Sequence, residues 1–296
     1  MEQRMGAILV TGAAGFVGSR LVDALAVRGE QVIALARKAG SVVARDGVTP
    51  LVGDLLNAAD YESALAGVDC VIHLAAVTGK ARPDAFQTGN VEATKVLIAA
   101  CERAGVRRFI MVSSIAVTFA ARQHYPYAES KIAAEAAARA SSMDVTIVRP
   151  TMILGPSSPI EASLQRLAHM PATPIFGDGK TRVEPVDVHD VVDFLCGIAR
   201  DPDAVGATIE LGGPDAYSIK DLLAKLRRKP GAPAFVHIPL GLTRGILGAV
   251  EGPLLSLLPF TAGQLATFAN DSVAAPHALV ARHLKSRRTS PSSEAA

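Results

Sequence analysis

A glycine-rich turn between an apolar run and an amphipathic helix sets the first limit on the fold of this chain. Ala7–Val10 is a short apolar run of the kind found in buried parallel strands. Three glycines follow at intervals of three residues, Gly12, Gly15 and Gly18. Glycine lets the backbone approach a pyrophosphate, and the start of the helix directs amide donors and a partial positive charge at it. The segment therefore predicts a dinucleotide-binding site, with a plain tight turn as the alternative.

Apolar runs and helical patterns alternate through the first half of the chain. The runs predicted to be strands are Ala7–Val10, Gln31–Ala36, Thr49–Val52, Cys70–Leu74, Phe109–Val112 and Val145–Val148. The helical patterns between them predict, among others, a short helix at Ala58–Ala66 and a long helix from about Ala85 to Arg103. Strands that alternate with helices at this spacing form parallel sheets covered on both faces. We therefore predict an α/β fold, a Rossmann-type doubly wound parallel sheet, with a smaller C-terminal substrate subdomain.

One edge of the predicted sheet collects residues suited to a binding cleft. Ligands of such sheets bind beyond the carboxyl ends of the strands. A residue follows a predicted strand end in five separate stretches: Gly12, Asp54, Ala75, Ser114 and Pro150. Because these strand ends lie at the same edge, we expect the five residues to converge on one cleft.

A tyrosine and a lysine four residues apart, Tyr127 and Lys131, open a segment rich in strong helix formers. On a helix this spacing places both side chains on one face, with Cβ atoms about 5–6 Å apart. A nearby ammonium lowers the pKa of a phenol, so we expect Tyr127 to exchange protons near neutral pH. Ser114 would hold a substrate oxygen within reach of that hydroxyl. The alternative is a solvated helix face without chemistry.

Short motifs join these features in a definite order. They are TGAAGFVG (Thr11–Gly18), GDL (Gly53–Leu55), HLAA (His73–Ala76), Asn90 on a long helix, SS (113–114), YAESK (Tyr127–Lys131) and RPT (Arg149–Thr151). Over roughly residues 6–215 the chain resembles the extended short-chain dehydrogenase/reductases, often called the NAD-dependent epimerase/dehydratase family. PIFGDG, the apolar 239–260 stretch and FTAGQL resemble the branch that contains the NADPH-binding accessory subunit of respiratory complex I.

The resemblance implies a catalytic set and a cofactor site. Tyr127 would be the acid/base, Lys131 would lower its pKa and hold the nicotinamide ribose, and Ser114 would orient the substrate oxygen. The family spacing from this serine to a tyrosine, a position that is Thr118 here, selects Ser114 over Ser113. The residues implied to contact the cofactor are Gly12, Gly15, Phe16, Val17, Gly18, Arg37, Lys38, Asp54, Leu55, Leu74, Ala75, Ala76, Tyr127, Lys131, Pro150 and Ile153.

The end of the second predicted strand bears on the choice between NADP and NAD. NAD-selective members of the family carry a carboxylate there for the adenosine ribose hydroxyls, whereas this chain has Arg37 and Lys38. A guanidinium binds a 2′-phosphate with paired, charge-assisted hydrogen bonds. We predict a preference for NADP(H), with NAD as the alternative cofactor and Arg37 as the main contact. A surface pair without a ligand is the other interpretation.

Prolines and loops become frequent after Thr151, which divides the chain. We predict an NAD(P)-binding domain at residues 1–150, with a core at about 6–150 and a strand and helix at about 183–200 that return to it. Residues 151–285 are expected to form a substrate-covering subdomain and residues 286–296 a disordered tail. The apolar Leu240–Leu258 segment predicts helices packed over the cleft, with peripheral membrane contact as the alternative.

Composition argues against several other classes of protein. A net charge of +2 indicates no nucleic-acid partner, and no run of ~20 apolar residues predicts a membrane span. Cys70, Cys101 and Cys196 lie far apart among apolar residues, as expected for buried reduced thiols. No signal peptide is visible, so a cytoplasmic location is expected. His189 and Asp190 lack the companions of a closed metal site, and no metal is predicted.

Three further polar residues have structural interpretations. His73 is expected to pack at a strand end rather than to act in catalysis. Asn90 either orders the site or is a helix-surface amide. Glu135, four residues after Lys131, is expected to form an ordinary helix ion pair.

The sequence favours an enzyme that transfers hydride at a carbinol or carbonyl carbon of a small-molecule substrate. The alternatives are a non-catalytic NADPH-binding protein and a nucleotide-sugar epimerase or dehydratase. Sugar-nucleotide enzymes of the family usually have an asparagine where this chain has Met152 and an arginine where it has Val183. Arg182 is displaced by one residue, which on a strand turns it to the opposite face. These positions favour a less charged, lipid-like or small carbonyl substrate.

Overall fold

Seven parallel strands form the central sheet of the computed structural model, which describes residues 6–122, 124–227, 234–241, 243, 245, 247 and 261–288. The strand order is β11-β6-β5-β4-β1-β2-β3. The strands are β1 Ala7–Thr11, β2 Val32–Ala36, β3 Val48–Val52, β4 Val68–His73, β5 Arg108–Val112, β6 Asp144–Pro150 and β11 Thr208–Leu211. The predicted doubly wound parallel sheet is confirmed.

The helices are α1 Phe16–Val27, α2 Pro83–Phe86, α3 Ala93–Ala104, α4 Pro126–Arg139, α5 Pro159–Ala168, α6 Val188–Ile198, α7 Ile219–Leu226 and α8 Ala278–His283. On one face of the sheet lie α1, α6 and α8, and on the other lie α3 and α4, whereas α5 and α7 pack together in a separate hydrophobic cluster. A π-helical segment, Gln87–Glu92, joins α2 to α3. Short 3₁₀ turns occupy Ala58–Asp60, Glu62–Leu65, Ile115–Thr118, Pro202–Ala204 and Gly263–Phe268.

Alternating side chains of each strand divide the core into two layers. On β1, Ile8 and Val10 pack with α1, α6 and α8, whereas Leu9 faces the layer of α3 and α4. All three side chains are fully buried, and each such burial stabilises the fold by about 1.5–3 kcal/mol. The sheet is apolar on both faces because helices cover both.

The return strand does not lie where the sequence predicted it. Residues 183–188 were expected to form it, but they carry only Arg182–Val183 (β9) and Val186–Asp187 (β10), each in a separate two-stranded sheet. Pro185 lies between them and has no amide proton for a ladder. The seventh strand of the main sheet is β11, which pairs with β6 from Thr208 to Leu211.

Smaller sheets surround the end of the main sheet. Ile153–Leu154 (β7) pairs with β10, and Tyr217–Ser218 (β12) pairs with β9. Ala172–Phe176 (β8) and Ala234–Ile238 (β13) form a parallel pair. The hydrophobic contacts of α6, β11 and α8 belong to the main core, so the second half of the chain completes the first.

Two predicted helices have an unexpected form. The predicted Ala58–Ala66 helix is a pair of 3₁₀ turns, because the buried Tyr61 between them donates its hydroxyl proton to the Leu55 carbonyl at 3.0 Å. The long helix expected near 85–103 contains the π-helical segment. Its buried Asn90 binds the backbone of Val77 through both side-chain atoms.

The C-terminal segment is ordered further than predicted. The tail was expected to be disordered from residue 286, but the Arg288 amide and guanidinium donate to Asp190 at 2.7 and 2.6 Å. Arg287 donates to the Gly213 carbonyl at 2.9 Å. Residues 289–296, and most of the predicted 240–258 cover, lie outside the described residues. In the described part of the chain, no helix has the length and apolar character needed to cross a membrane.

Candidate active site

The glycine turn after β1 has the shape needed to receive a phosphate group. Gly12 has a φ of +67°, and a Cβ there would lie 2.8 Å from the Ala75 amide nitrogen. Gly15 caps α1 without a side-chain hydrogen bond, and the first turn of α1 contains no acidic residue. The first amides of the helix and their partial positive charge are therefore directed at the turn. A dinucleotide pyrophosphate fits this backbone.

The start of α1 is fixed by close packing. A Cβ on Gly18 would collide with the Gly12 carbonyl, so only glycine permits this contact. Phe16 is half-buried, and the guanidinium of Arg20 lies 4.8 Å from the centre of its ring. Arg20 also donates to the carbonyls of Phe16 and Pro156, each at 2.7 Å. The sequence analysis missed Arg20, whose only signal was its place two residues beyond Gly18.

The ends of β2 and β3 present charged groups to solvent. Arg37 and Lys38 follow β2 and are both exposed. Neither side chain forms an ion pair with any residue that the structure describes. Asp54, after β3, is exposed and accepts a hydrogen bond from the Leu56 amide at 3.0 Å, whereas Leu55 is buried.

The remaining predicted cofactor contacts lie along the same edge of the sheet. Leu74, Ala75 and Ala76 are half-buried directly after β4. Pro150 ends β6 and is buried, and the half-buried Ile153 begins β7. The predicted cofactor contacts therefore lie along the carboxyl edge of the sheet, at the ends of β1, β2, β3, β4 and β6. The sequence indicated this edge.

A buried histidine links the glycine turn to the π-helical segment. The Thr94 hydroxyl donates to the Asn90 carbonyl at 2.6 Å, so its oxygen accepts from His73 Nε2 at 2.9 Å. That assignment leaves His73 Nδ1 to accept from the Thr11 hydroxyl at 2.7 Å. Burial, reinforced by the charge of Lys131, lowers the pKa of His73 to about 3. The imidazole is thus neutral and structural, as expected.

Tyr127, Lys131 and Ser114 lie together where β5 meets α4. Burial raises the pKa of Tyr127 above its ordinary value, and a hydrogen bond with Ser114 opposes that rise. Lys131 is 3% exposed, and its Nζ donates to the Val112 carbonyl at 2.8 Å. Burial lowers the pKa of Lys131 to about 8, against the opposing charge of Glu135. The expected lowering of the Tyr127 pKa is not produced by the protein groups, because loss of hydration dominates.

Glu135 is not the exposed ion pair that the sequence suggested. It is buried, and Arg149 donates to its two carboxylate oxygens at 3.0 and 2.7 Å. Arg139 contributes a third hydrogen bond at 3.2 Å. Burial alone would raise the pKa of Glu135, but the hydrogen bonds from Arg149 lower it below its ordinary value. This buried carboxylate joins α4 to β6 beside Lys131.

Comparison with known proteins agrees with this geometry. The model of the NAD dependent epimerase/dehydratase family matches residues 8–212. The chain belongs to this family. A 2-alkyl-3-oxoalkanoate reductase of Stenotrophomonas maltophilia is 30% identical, over 76% of this chain and 76% of the relative. The mitochondrial NADH dehydrogenase (ubiquinone) 1 alpha subcomplex subunit 9 of Arabidopsis thaliana is 26% identical, over 91% of this chain and 71% of the relative.

A solved structure of the epimerase/dehydratase type shares the fold. The NAD-dependent NDP-hexosamine 5,6-dehydratase TunA superposes with a TM-score of 0.70 at 23% identity, over 96% of this chain and 93% of that one. The expected resemblance, including the complex I branch, is confirmed. At this level the prediction of an NAD(P)-dependent oxidoreductase, epimerase or dehydratase is also confirmed.

Two aromatic rings pack near the ring of Tyr127. The Phe86 ring centre lies 6.1 Å from that of Tyr127, and the Tyr125 centre lies at 5.7 Å. Phe119 and Ala266 pack into the same apolar cluster. These residues were not predicted from the sequence, because they come from three separate stretches of chain.

The other polar candidates have structural partners. Asn90 is buried and donates to the Ser130 hydroxyl at 2.9 Å, which ties the π-helical segment to α4. His189 Nδ1 lies 2.9 Å from Asp187 rather than beside a metal-type cluster. Within the described ranges, no group of three His, Cys, Asp or Glu side chains could hold a metal ion.

Proposed function

We propose that this family member is an NADP(H)-dependent oxidoreductase that interconverts carbonyl and carbinol groups of an apolar substrate. The observation that carries the proposal is the meeting of Ser114, Tyr127 and Lys131 at the carboxyl edge of the sheet, beside the glycine turn. A protein that only bound the cofactor would have no need of the hydrogen-bonded serine and tyrosine hydroxyls.

In the proposed reduction the protein supplies one proton, from Tyr127 to the substrate oxygen. The cofactor supplies the hydride when bound. Ser114 holds the substrate oxygen through its hydroxyl, and Tyr127 donates its proton to that oxygen as negative charge develops on it. Lys131 is a cation at neutral pH because its pKa is about 8, and its charge favours the phenolate that Tyr127 leaves behind. The oxidation runs through the same groups in reverse.

The preference for NADP(H) is supported by the end of β2. Arg37 and Lys38 are exposed there without ion-pair partners among the described residues. A guanidinium in this state is available to a 2′-phosphate, and no carboxylate of β2 competes with the phosphate for it. A solvated surface pair is the alternative.

An apolar substrate is supported by the aromatic rings near Tyr127 and by the lack of an arginine at position 183. Phe86 and Tyr125 present rings next to it. Val183 is buried, whereas Arg182 is exposed on the opposite side of β9, so the arginine does not occupy the diphosphate-binding position implied by the family. The similar reductase is named for a 2-alkyl-3-oxoalkanoate, a carbonyl compound with an alkyl branch. We further infer that residues 151–285 supply the cover over this substrate.

Cofactor binding without catalysis is the second candidate. It is favoured by the likeness to the complex I subunit, which extends over 91% of this chain. On this alternative NADPH would stabilise the fold and no substrate would be turned over. A nucleotide-sugar epimerase or dehydratase remains the third candidate, because the family includes such enzymes.

A cofactor-oxidation screen separates the three. Purified protein is mixed with NADPH and offered ethyl 3-oxooctanoate or a 3-oxosteroid, and absorbance at the NADPH band is followed. UDP-glucose is offered separately with NAD⁺ or NADP⁺, because an epimerase or dehydratase first passes hydride from the sugar to the oxidised cofactor. Saturable oxidation with either of the first two supports the oxidoreductase. Saturable conversion of UDP-glucose at micromolar concentration, followed by chromatography, contradicts the apolar substrate. Tight NADPH binding with no turnover of any probe assigns the protein to the binding class.

A further inference from the structure

A C-terminal segment crosses the loop that lies between Ser114 and Tyr127. We define the clamp segment as residues 261–272 and the site loop as residues 119–122 and 124–125. Asn270, in the clamp segment, is 9% exposed. Its Oδ1 accepts from the Ala121 amide at 2.9 Å, and its Nδ2 donates to the Ala121 carbonyl at 3.1 Å. One amide side chain thus binds both backbone groups of one residue in the site loop.

Close packing reinforces this contact. A Cβ on Gly263 would lie 2.5 Å from the His124 carbonyl oxygen and 3.2 Å from the Tyr125 Cα. The backbones of the clamp segment and the site loop therefore touch at a point where only glycine leaves room. Ala266 adds an apolar contact to the cluster of Phe119 and Tyr125. The clamp segment restrains the loop at more than one position.

The far end of the clamp segment is tied to β9. Asp271 accepts from the Arg182 amide at 2.8 Å, and the Ser272 amide donates to the Arg182 carbonyl at 2.8 Å. Glu184 then donates its amide proton to the Ser272 carbonyl at 2.9 Å. Three successive residues, Asn270 to Ser272, thus connect the site loop to the strand that bears Val183.

Other contacts of the site loop do not replace Asn270. Arg122 donates to the Phe119 carbonyl at 2.8 Å and to Glu129 at 3.1 Å. Both partners belong to the loop or to α4, and the Arg122 and Glu129 side chains are 37% and 56% exposed, so this ion pair restrains the loop weakly. Among the described residues, Asn270 alone hydrogen-bonds the backbone of Ala121.

We propose that Asn270 is a positioning residue for the substrate: it holds the site loop so that the Tyr125 ring lines the substrate side of Tyr127. This inference rests on the proposed function, and the ligand part concerned is the apolar portion of a carbonyl substrate. Both the donor and the acceptor of the amide are used, since Nδ2 also donates to the Ala266 carbonyl at 2.9 Å. A carboxylate at this position has only acceptors and faces two carbonyl oxygens.

The effect should fall on the substrate and not on the cofactor. Lys131 is held by the Val112 carbonyl, and the glycine turn lies beside Ala75. Neither contact passes through the site loop. Asn270→Ala removes both hydrogen bonds to Ala121 and the one to the Ala266 carbonyl, and we expect the KM for ethyl 3-oxooctanoate to rise about tenfold. The Kd for NADPH should stay within about twofold of the wild-type value.

The experiment compares three variants with the wild-type protein. Asn270→Ala and Asn270→Asp remove the donor, and the aspartate should be the more damaging. Thr267→Val is the matched control, because among the described residues the Thr267 hydroxyl hydrogen-bonds only to the Gln264 carbonyl, which lies inside the clamp segment. Initial rates give KM and kcat for ethyl 3-oxooctanoate, calorimetry gives the NADPH Kd, and hydrogen exchange with mass spectrometry follows the peptide containing the Ala121 amide.

The proposal is supported if KM rises in both Asn270 variants, exchange at Ala121 accelerates and Thr267→Val behaves as wild type. An unchanged KM in a folded Asn270→Ala protein overturns it, as does a rise in the NADPH Kd that matches the rise in KM. Should neither Asn270 variant fold, Gly263→Ala, which pushes on the same loop, must raise KM or the proposal fails. If the wild type reduces no probe, the proposed function fails separately from this proposal. Hydrogen exchange then still tests the positioning role in the NADPH complexes: if the Ala121 amide exchanges as slowly in Asn270→Ala as in the wild type, the positioning role is overturned.

Discussion

The two sides of Tyr127 are built in different ways. On the side proposed to bind the cofactor, the distinctive features belong to the backbone: the φ of Gly12, the close approach to Ala75 and the uncapped start of α1. On the side proposed to bind the substrate they belong to side chains, and Asn270 reaches Ala121 across 149 residues of sequence. Recognition by backbone groups needs short motifs with fixed glycines, whereas recognition by side chains can be assembled from any part of the chain.

Charge follows the same division. The cofactor side presents the exposed Arg37 and Lys38 and the positive end of α1. The substrate side presents the rings of Phe86 and Tyr125. The difference matches a ligand that carries phosphates at one end and meets an apolar molecule at the other. It also means that mutations should separate the two sides.

The largest effect is expected from Tyr127→Phe, which removes the hydroxyl at the boundary between the two sides. Proton transfer from a positioned group contributes about 10²–10⁴-fold to rate, so kcat should fall by that factor. The NADPH Kd should barely change, since the ring is kept. Initial-rate kinetics and calorimetry on the same preparation test this. Near-full activity in the variant would show that Tyr127 is not the acid/base.

The next effect concerns Lys131, whose charge serves both sides at a cost in stability. Its pKa falls from 10.5 to about 8 in the folded protein, so between those values the unfolded chain binds more protons and stability rises with pH. Below pH 8 the ammonium of Lys131 is charged in the folded protein as well, and the full cost of burying that charge lowers the free energy of unfolding. Lys131→Met should therefore increase the free energy of unfolding at pH 7 by roughly 1–3 kcal/mol while abolishing activity.

Urea denaturation at pH 7 and at pH 9.5 measures this gain, which should shrink at the higher pH. Lys95→Met is the control, because Lys95 is exposed and paired only with Glu92 at 3.2 Å. A loss of stability at pH 7 in Lys131→Met would mean that the hydrogen bond to Val112 outweighs the burial of the charge.

The smallest effect, and the finest test of the division, is expected from Arg37→Ala. Loss of a charge-assisted contact with a 2′-phosphate should raise the Kd for NADP about tenfold or more, while the Kd for NAD stays nearly constant. Arg107→Ala is the control, because Arg107 is exposed just before β5, at the opposite edge of the sheet. If the wild type bound NAD more tightly than NADP, the predicted preference for NADP(H) would be wrong.

The contrast between the two sides also explains what the sequence could predict. The parallel sheet and the strand-end positions of Gly12, Asp54, Ala75 and Pro150 followed from local patterns, because each pattern is complete within a few residues. β11 was not predicted from the sequence, because its four residues form a strand only by pairing with β6. The 183–188 run looked like a strand, but Pro185 breaks it.

Long-range contacts decided the rest of the candidate site. Glu135 was expected to pair on its own helix, and Arg139 does contact it there, but Arg149, which binds both of its oxygens, comes from β6. The direction of the Tyr127 pKa depends on burial, which no local spacing reveals. Asn270 carries no motif at all; its role follows from where the folded chain places Ala121.

The contact between Asp190 and Arg288 has a consequence for the order of events during protein synthesis. The two residues are 98 positions apart, and Asp190 is fully buried on α6. Ribosomes add about 5–20 residues per second, so Asp190 waits roughly 5–20 seconds for its counter-ion. During that interval α6 cannot seat on the sheet without burying an unpaired carboxylate, whose pKa stays raised by burial even in the finished protein. We therefore expect a nascent chain that stops short of Arg288 to hold α6 less firmly against the sheet and to leave its apolar face more accessible to chaperones and proteases.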